Sequence, residues 1–473
     1  MSACTKPDDG PGADEDQLAV KSVTLDRSGV ELTETDVIQL VASLQPENAA
    51  NKKLRWSSSN SRVAHVDSLG KVTAVNAGSA VITVTTEDGG KTATCNVEVA
   101  AEQCVVTGLT MEEAETAREK VIADWKAANL NGMMAGFEKL SLTNADNVTM
   151  KYLANRWGSM PADGYSLWIS LHGGGGVAAK DNDGQWQNQQ IMYRYAATPK
   201  PDEGIYVSPR SIENVWDMWF LKENDWFFEQ IIKTMVVCWG VNPDKVYLMG
   251  YSAGGDGVWR MAPRMADHWA AAAMMAGHPG SVNLMNVRNM PFTLWVGGED
   301  AAYDRNTLVP QKAGDLEYFH AKDPGGYIYN CHVLKGKPHW MDLEDASAFD
   351  WMARFKRNPY PKRVVWRQEN EERKVVRQFF YWIKVGRDEM TPGNTVIAEI
   401  VGNTINIEKC DYKSLTIYLN DKLVNLDKKV RVYYNGKEVF RGMVERRRET
   451  LASTMAERED PSYVFCSEIT VNL

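Results

Sequence analysis

The sequence predicts an α/β domain with a mostly parallel central sheet, preceded by a β-sandwich and followed by a small β-rich domain. Three observations carry this. Between about 105 and 358, apolar strand-like runs alternate with helical ones, which is the signature of an α/β fold. Between 19 and 101, short runs alternate apolar and polar residues with turns between them, as in a sandwich. Between 359 and 473, strand patterns return and include the hairpin turn Asn435-Gly436, whose two residues both tolerate positive φ.

The elements follow in order. Residues 1–18 form a polar, Asp-, Gly- and Pro-rich stretch that suits a flexible tether. In 19–101 the strands include Val20–Leu25, Val37–Val41 and Ala80–Thr85, separated by Ser68-Leu69-Gly70 and Asp88-Gly89-Gly90. In 105–358 an amphipathic helix, Met111–Leu130, comes first. The strand runs are then Leu167–Leu171, Ile205–Val207, Val246–Met249, Ala271–Met275, Phe292–Val296 and Tyr327–Leu334. In 359–473 strands are expected at Arg363–Trp366, Phe379–Val385, Thr395–Ile400, Leu415–Leu419 and Val430–Tyr434, with one helix near Arg446–Glu457.

Composition narrows the function classes. The 473 residues are 44% apolar and 24% charged, so a disordered or fibrous chain is excluded. With 53 basic and 62 acidic residues the net charge is −9, and no electrostatic footprint for nucleic acid exists. Arg446-Arg447-Arg448 lies between Glu445 and Glu449 and reads as a solvated face. The longest apolar run, Trp269–Ala276, is too short to span a bilayer. Seven cysteines are scattered without a Cys-x-x-Cys pair, so no zinc site is expected; pairing of Cys95 with Cys104 stays open.

The strongest chemical motif is Gly250-Tyr251-Ser252-Ala253-Gly254, directly after one strand and before a helix-compatible run. A G-x-S-x-G turn in that setting pushes a nucleophilic serine out at the strand's end. His172-Gly173-Gly174-Gly175-Gly176 follows another strand, and its bare backbone N–H groups suit a developing oxyanion. Expected oxyanion donors are Ala253, Gly174 and Gly173, with His172 holding the loop. A phosphate loop is the weaker alternative, because no Lys-Ser/Thr follows. The chain order Ser, acid, His then points to Asp300, with Asp304 and Glu299 as rivals and Asp304 expected to pair with Arg305 or cap a helix. His339, in the loop after the last strand, is the expected base; His268, His278, His320 and His332 fit worse, and His65 reads as structural.

Trp186, Gln187, Arg210, Trp216 and Trp340 are the candidate substrate-binding residues, since aromatic faces with amide partners suit a sugar ring or an aromatic acyl group. Arg210 has two readings, a grip on a substrate carboxylate or phosphate and a structural ion pair. The mechanism these residues imply is acyl transfer without a metal or cofactor.

Two resemblances add to this reading. Residues 19–101 resemble a bacterial Ig-like domain of group 2, through Trp56-Ser57-Ser58-Ser59-Asn60, Val66-Asp67, Gly70–Ala74, Gly78 and Ile82–Val84; such domains are spacers or adhesive modules. Residues 105–358 resemble an α/β-hydrolase of the esterase and prolyl-oligopeptidase-like group, close to feruloyl-esterase-like enzymes. Gly250–Gly257, Ala276–Pro279, Asp300–Asn306 and Lys337–Asp342 resemble a bacterial secreted subfamily of it, and the likeness extends to Phe380-Tyr381-Trp382 and Asp460-Pro461. The resemblance implies a serine carboxylic ester hydrolase acting on acyl groups of polysaccharide or of a small molecule. A serine peptidase and a non-catalytic glycan-binding or adhesion protein are the alternatives. Ser2-Ala3-Cys4 resembles the end of a bacterial lipoprotein signal, which implies a lipidated Cys4, outer-membrane anchoring and a secreted, periplasmic or cell-surface location; an ordinary cytosolic start is the other reading.

Overall fold

A computed structural model of the chain describes residues 19–101, 107–196 and 201–473. Residues 1–18, which hold Cys4, and Cys104 lie outside them. The chain divides into two compact units, residues up to 104 with 401–404, and 105–400 with 405–473.

The first unit is all β. One sheet orders the strands Gly29–Thr33, Thr92–Ala100, Gly78–Thr86 and Leu54–Ser58, a second orders Val37–Gln39, Lys71–Ala74 and Ala64–Val66, and Ser22–Leu25 pairs with Ala42–Gln45. Side chains of a strand alternate between faces, and Thr92–Ala100 buries Cys95, Val97 and Val99 while exposing the residues between. These meet Leu32, Leu40, Val72 and Ile82 in one apolar core. Gly70 turns the chain with φ +83° beneath the Trp56 ring, where a Cβ would lie 2.6 Å from a ring carbon. His65 is half-buried in the strand Ala64–Val66.

The second unit opens with α1 (Met111–Glu138), longer than its sequence signal. Thr110 and Glu113 cap its start reciprocally, the Thr110 hydroxyl accepting from the Glu113 N–H and the Glu113 carboxylate from the Thr110 N–H. Eight strands follow: β1 (Ser141–Thr143), β2 (Thr149–Trp157), β3 (Tyr165–Leu171), β4 (Gly204–Pro209), β5 (Val241–Tyr251), β6 (Ala271–Met275), β7 (Phe292–Gly297) and β8 (Tyr329–Leu334). They form one sheet in the order β1-β2-β4-β3-β5-β6-β7-β8. The β1/β2 and β2/β4 pairs are antiparallel and every other pair is parallel. β3, β4, β6 and β7 are buried at every residue, as strands covered on both faces must be. The helices are α2 (Ala179–Asn188), α3 (Gln190–Ala196), α4 (Glu223–Trp239), α5 (Ala253–Arg264), α6 (Arg305–Lys322) and α7 (Ala348–Met352). This is the α/β-hydrolase arrangement. The exchange of β3 and β4 in the sheet marks the edge at the strands' carboxyl ends as the place for a site.

The C-terminal residues form two further sheets. One holds Arg363–Arg367, Thr395–Val401, Thr404–Cys410, Val430–Tyr434 and Lys437–Gly442; the other holds Phe379–Phe380, Ile383–Lys384, Ser414–Leu419 and Ser467–Asn472. Asn435 and Gly436 join two of these strands with φ of 49° and 74°, as the motif requires. The helix is α8 (Arg448–Arg458).

The expected domain boundary at 358/359 is not a boundary between compact bodies. The two parts share one apolar core, in which Trp366, Trp382, Tyr463 and Phe465 join Trp219, Phe228 and Trp269. Buried ion pairs also cross it: Arg357 bridges Asp244 and Asp460 at 2.8 Å each, and Arg458 holds Asp267 at 2.8 Å. Opening that face would strand charges in a dry interior. Residues 359–473 are therefore a second lobe of the second unit. No helix among the described residues is long and apolar enough to cross a membrane.

Candidate active site

The site begins with steric demands at the end of β5. A Cβ on Gly250 would lie 2.3 Å from the Gly254 carbonyl oxygen, and one on Gly254 would lie 2.1 Å from the Leu171 carbonyl oxygen. Both glycines of the elbow are required by close backbone approach. Between them Ser252 has φ 57° and ψ −122°, a conformation costly for a side chain with a Cβ. Its N–H donates to the Met275 carbonyl at 3.0 Å, and its own carbonyl accepts from Asp256 at 2.9 Å, so both flanks hold the strained turn.

Two loops bring partners to the serine. His339, after β8, places Nε2 2.9 Å from the Ser252 Oγ. Its Nδ1 lies 2.7 Å from Asp300 Oδ2, after β7. With the carboxylate accepting from Nδ1–H, Nε2 keeps its lone pair and accepts the serine O–H. Asp300 is 2% exposed, and Arg305 Nη1 stands 3.6 Å from its other oxygen. The expected Asp304–Arg305 pair does not form. Arg305 turns to Asp300, while Asp304 has φ 56° at the start of α6 and makes no side-chain cap hydrogen bond. Glu299 is exposed, and its backbone N–H bonds the Lys337 carbonyl.

Tyr251 ties this assembly together, a role the elbow motif does not specify. Its hydroxyl donates to the His339 carbonyl and accepts from the Met341 N–H. The strand that carries the serine thus fastens the loop that carries the histidine. Burial raises the phenol above its ordinary range, so it stays a donor.

The glycine loop closes over the other side. Gly173 comes so near Ser252 that a Cβ there would lie 3.3 Å from the serine Cβ. Gly174 and Gly175 turn with φ of 107° and 106°. Asn182 on α2, fully buried, clamps the turn: Oδ1 accepts from the Gly175 N–H at 3.0 Å and Nδ2 donates to the Gly175 carbonyl at 2.9 Å. The Gly175 N–H is engaged there; of the expected donors, Gly173 adjoins Ser252 in space and Ala253 follows it in the chain. His172 braces the loop from below. Its Nδ1–H donates to the Gly173 carbonyl at 2.6 Å, and Nε2 accepts from the Ser211 N–H at 3.1 Å. Burial pushes this imidazole down to about 4, so it is neutral and keeps one tautomer.

The proposed substrate residues separate. Trp216 is 59% exposed and lies against the glycine loop, its backbone 3.4 Å from where a Gly175 Cβ would sit. Trp340 is 46% exposed and tilts onto Tyr251 at 5.7 Å between ring centres. Gln187 is exposed on α2, and the half-buried Trp186 is anchored through Nε1 to the Ser208 carbonyl at 2.8 Å. Arg210 is not available to a substrate. Its guanidinium bonds Asp183 at 2.8 Å, the Ser211 hydroxyl at 2.7 Å and Asn214 at 2.6 Å, and so ties α2 to the loop after β4.

Left-handed non-glycine residues gather on this edge: Ser252 after β5, Ala276 after β6, Tyr303 and Asp304 after β7, Asp342 and Leu343 after β8. Such conformations persist only where surroundings over-determine them, and functional sites are where they cluster. Among the described residues no group of three or more His, Cys, Asp or Glu side chains is placed to hold a metal.

A family model for the bacterial Ig-like domain (group 2) matches residues 19–97. The N-terminal unit is an Ig-like domain. Short stretches are also similar to curated proteins. An α-L-arabinofuranosidase of Bifidobacterium longum is 40% identical over 82 residues, 17% of this chain and 8% of that one. A kappa-carrageenase of Pseudoalteromonas carrageenovora is 40% identical over 85 residues, 18% of this chain and 21% of that one. The chain thus spans a small fraction of the length of the curated relatives it matches. Among solved structures, a thermostable esterase matches with TM-score 0.37 and 13% identity, covering 72% of this chain and 100% of that one. A feruloyl esterase module from Clostridium thermocellum in complex with sinapinate matches with TM-score 0.35 and 15% identity, covering 46% and 86%.

Proposed function

We propose that the second unit is a serine hydrolase that cleaves carboxylic esters, and that its substrates are acyl groups carried on polysaccharide outside a bacterial cell. One observation carries the reading: the hydrogen-bonded line Ser252 Oγ, His339 Nε2, His339 Nδ1, Asp300 Oδ2, at 2.9 and 2.7 Å, on a nucleophile elbow. In this reading His339 takes the serine proton as Ser252 attacks the ester carbonyl. Asp300 orients the ring and favours the imidazolium that forms. The N–H groups of Ala253, Gly173 and Gly174 receive the developing oxyanion. His339 then protonates the leaving alkoxide. Water, deprotonated by the same imidazole, releases the acyl group and restores Ser252.

The polysaccharide part rests on two exposed indoles, Trp216 against the glycine loop and Trp340 against Tyr251, because flat aromatic faces stack on sugar rings and aromatic acyl groups. The extracellular part rests on the Ig-like domain and on a short stretch shared with proteins named as an arabinofuranosidase and a carrageenase. The lipid anchor on Cys4 belongs to the same reading and rests on the sequence alone.

The test compares turnover of p-nitrophenyl acetate and of a prolyl p-nitroanilide by wild type and by Ser252→Ala. Ester turnover lost in the variant is the expected result. Anilide turnover in place of ester turnover would replace the esterase reading with the peptidase one.

A further inference from the structure

The C-terminal lobe reaches the candidate site. After the strand Arg363–Arg367 its chain runs across the α/β lobe as a strap, residues 368–378. Glu369 bonds Arg264 at 2.8 Å, Glu371 accepts from the Ser281 hydroxyl at 2.6 Å, Glu372 pairs with Arg260 at 3.0 Å, and Arg373 pairs with Asp217 at 2.5 Å. Ser281 and Asp217 belong to the loops after β6 and β4, both on the edge that carries Ser252. Asp217 is 5% exposed, and Arg373 supplies the countercharge for this buried carboxylate. The residue before it is Trp216, whose backbone rests on Gly175 and Gly176. The Trp216 ring meets the Phe220 ring edge-on at 5.4 Å. Phe220 lies 4.5 Å beneath the Arg260 guanidinium, which Glu372 and the Pro279 carbonyl hold in place. The strap therefore grips the Trp216 wall twice, once through Asp217 and once through Arg260 and Phe220.

We infer that the C-terminal lobe is a specificity element of the hydrolase. Arg373 and Glu372 are positioning residues that hold Trp216 beside the glycine loop, where it receives the bulky sugar or aromatic part of an ester. This rests on the ester-hydrolase reading. A small acyl group has no need of the wall, whereas a large flat one does.

The experiment measures kcat and KM of the full chain for methyl acetate and for methyl cinnamate, in wild type, Arg373→Ala, Arg373→Lys, Trp216→Ala and the Arg373→Ala/Trp216→Ala double variant. In Arg373→Ala the ratio of kcat/KM for the aromatic ester to that for the acetate falls about tenfold, chiefly through KM. Lysine restores most of it. The double variant is no worse than Trp216→Ala alone, because the two residues act in one chain of contacts. A ratio within twofold of wild type in Arg373→Ala, equal losses on both esters, or multiplying losses in the double variant would overturn the inference. A wild type inert on every ester would remove the hydrolase reading itself and the inference with it. An active wild type with an unchanged ratio would remove the inference alone.

Discussion

Asp345 offers a sharp test of the packing around the histidine loop. It lies on the segment after His339, is 1% exposed, and neither carboxylate oxygen has a hydrogen-bond partner. Burial raises its carboxyl from 3.8 to about 6, because a dry site disfavours the charged form. The sign follows from linkage. Below pH 3.8 both native and unfolded chains hold the proton. As pH rises the unfolded chain releases it first, and native stability falls until the native carboxyl also ionises near pH 6. At about 1.36 kcal/mol per pH unit, the gap corresponds to about 3 kcal/mol of stability lost between pH 3.8 and 6 and constant above. Asp345→Asn cannot titrate. Urea unfolding followed by tryptophan fluorescence reads the second unit, since Trp56 is the one tryptophan of sixteen in the first 104 residues. The difference between wild type and variant should shift against the wild type by about 2 kcal/mol from pH 4 to pH 7. The difference curve matters because His172, held down to about 4 by burial, loses stability in the opposite direction as pH falls from 6.5 toward 4. It is common to both proteins and cancels. Parallel pH profiles would refute the assignment of Asp345 as a buried, unpaired carboxyl.

Three further outcomes are expected. Tyr251→Phe removes one donor and one acceptor, each hydrogen bond worth about 1 kcal/mol, and should lower kcat about tenfold with KM within about twofold, read from steady-state ester hydrolysis. Asn182→Ala leaves the Gly175 N–H and carbonyl without their clamp and should lower kcat about a hundredfold while the secondary structure seen by circular dichroism stays unchanged. Asp300→Asn should cost about 10²- to 10⁴-fold in kcat and Asp304→Asn less than about threefold; the reverse ranking would move the acid to Asp304.

Much of the site was legible because its chemistry is written in local motifs. Ser252 sits in a five-residue turn whose glycines answer to backbone contacts of 2.3 and 2.1 Å, and such contacts leave a sequence mark. Asp300 and His339 were reachable through chain order and position after strands. Asn182 and Tyr251 were not, since nothing near either residue tells that its side chain meets Gly175 or the His339 carbonyl. Arg210 reads equally well as an anion grip or a brace, and only the three partners around its guanidinium decide for the brace. Arg305 differs from expectation for the same reason: its neighbour in sequence, Asp304, only occupies the start of α6, and the guanidinium turns to Asp300 instead. The C-terminal strand patterns were legible, but the lobe's union with the α/β sheet depends on long-range pairs such as Arg357 with Asp460 that carry no periodic signal.

The proposed chemistry stands or falls with Ser252 as an activated nucleophile. Treating the protein with a fluorophosphonate and measuring intact and peptide masses tests it without any assumption about substrate. The expected product is one phosphonyl group per chain, on the peptide that contains Ser252, absent in Ser252→Ala and formed at least about a hundredfold more slowly in His339→Ala. An unlabelled wild type, an adduct on another residue, or labelling indifferent to His339 would contradict it.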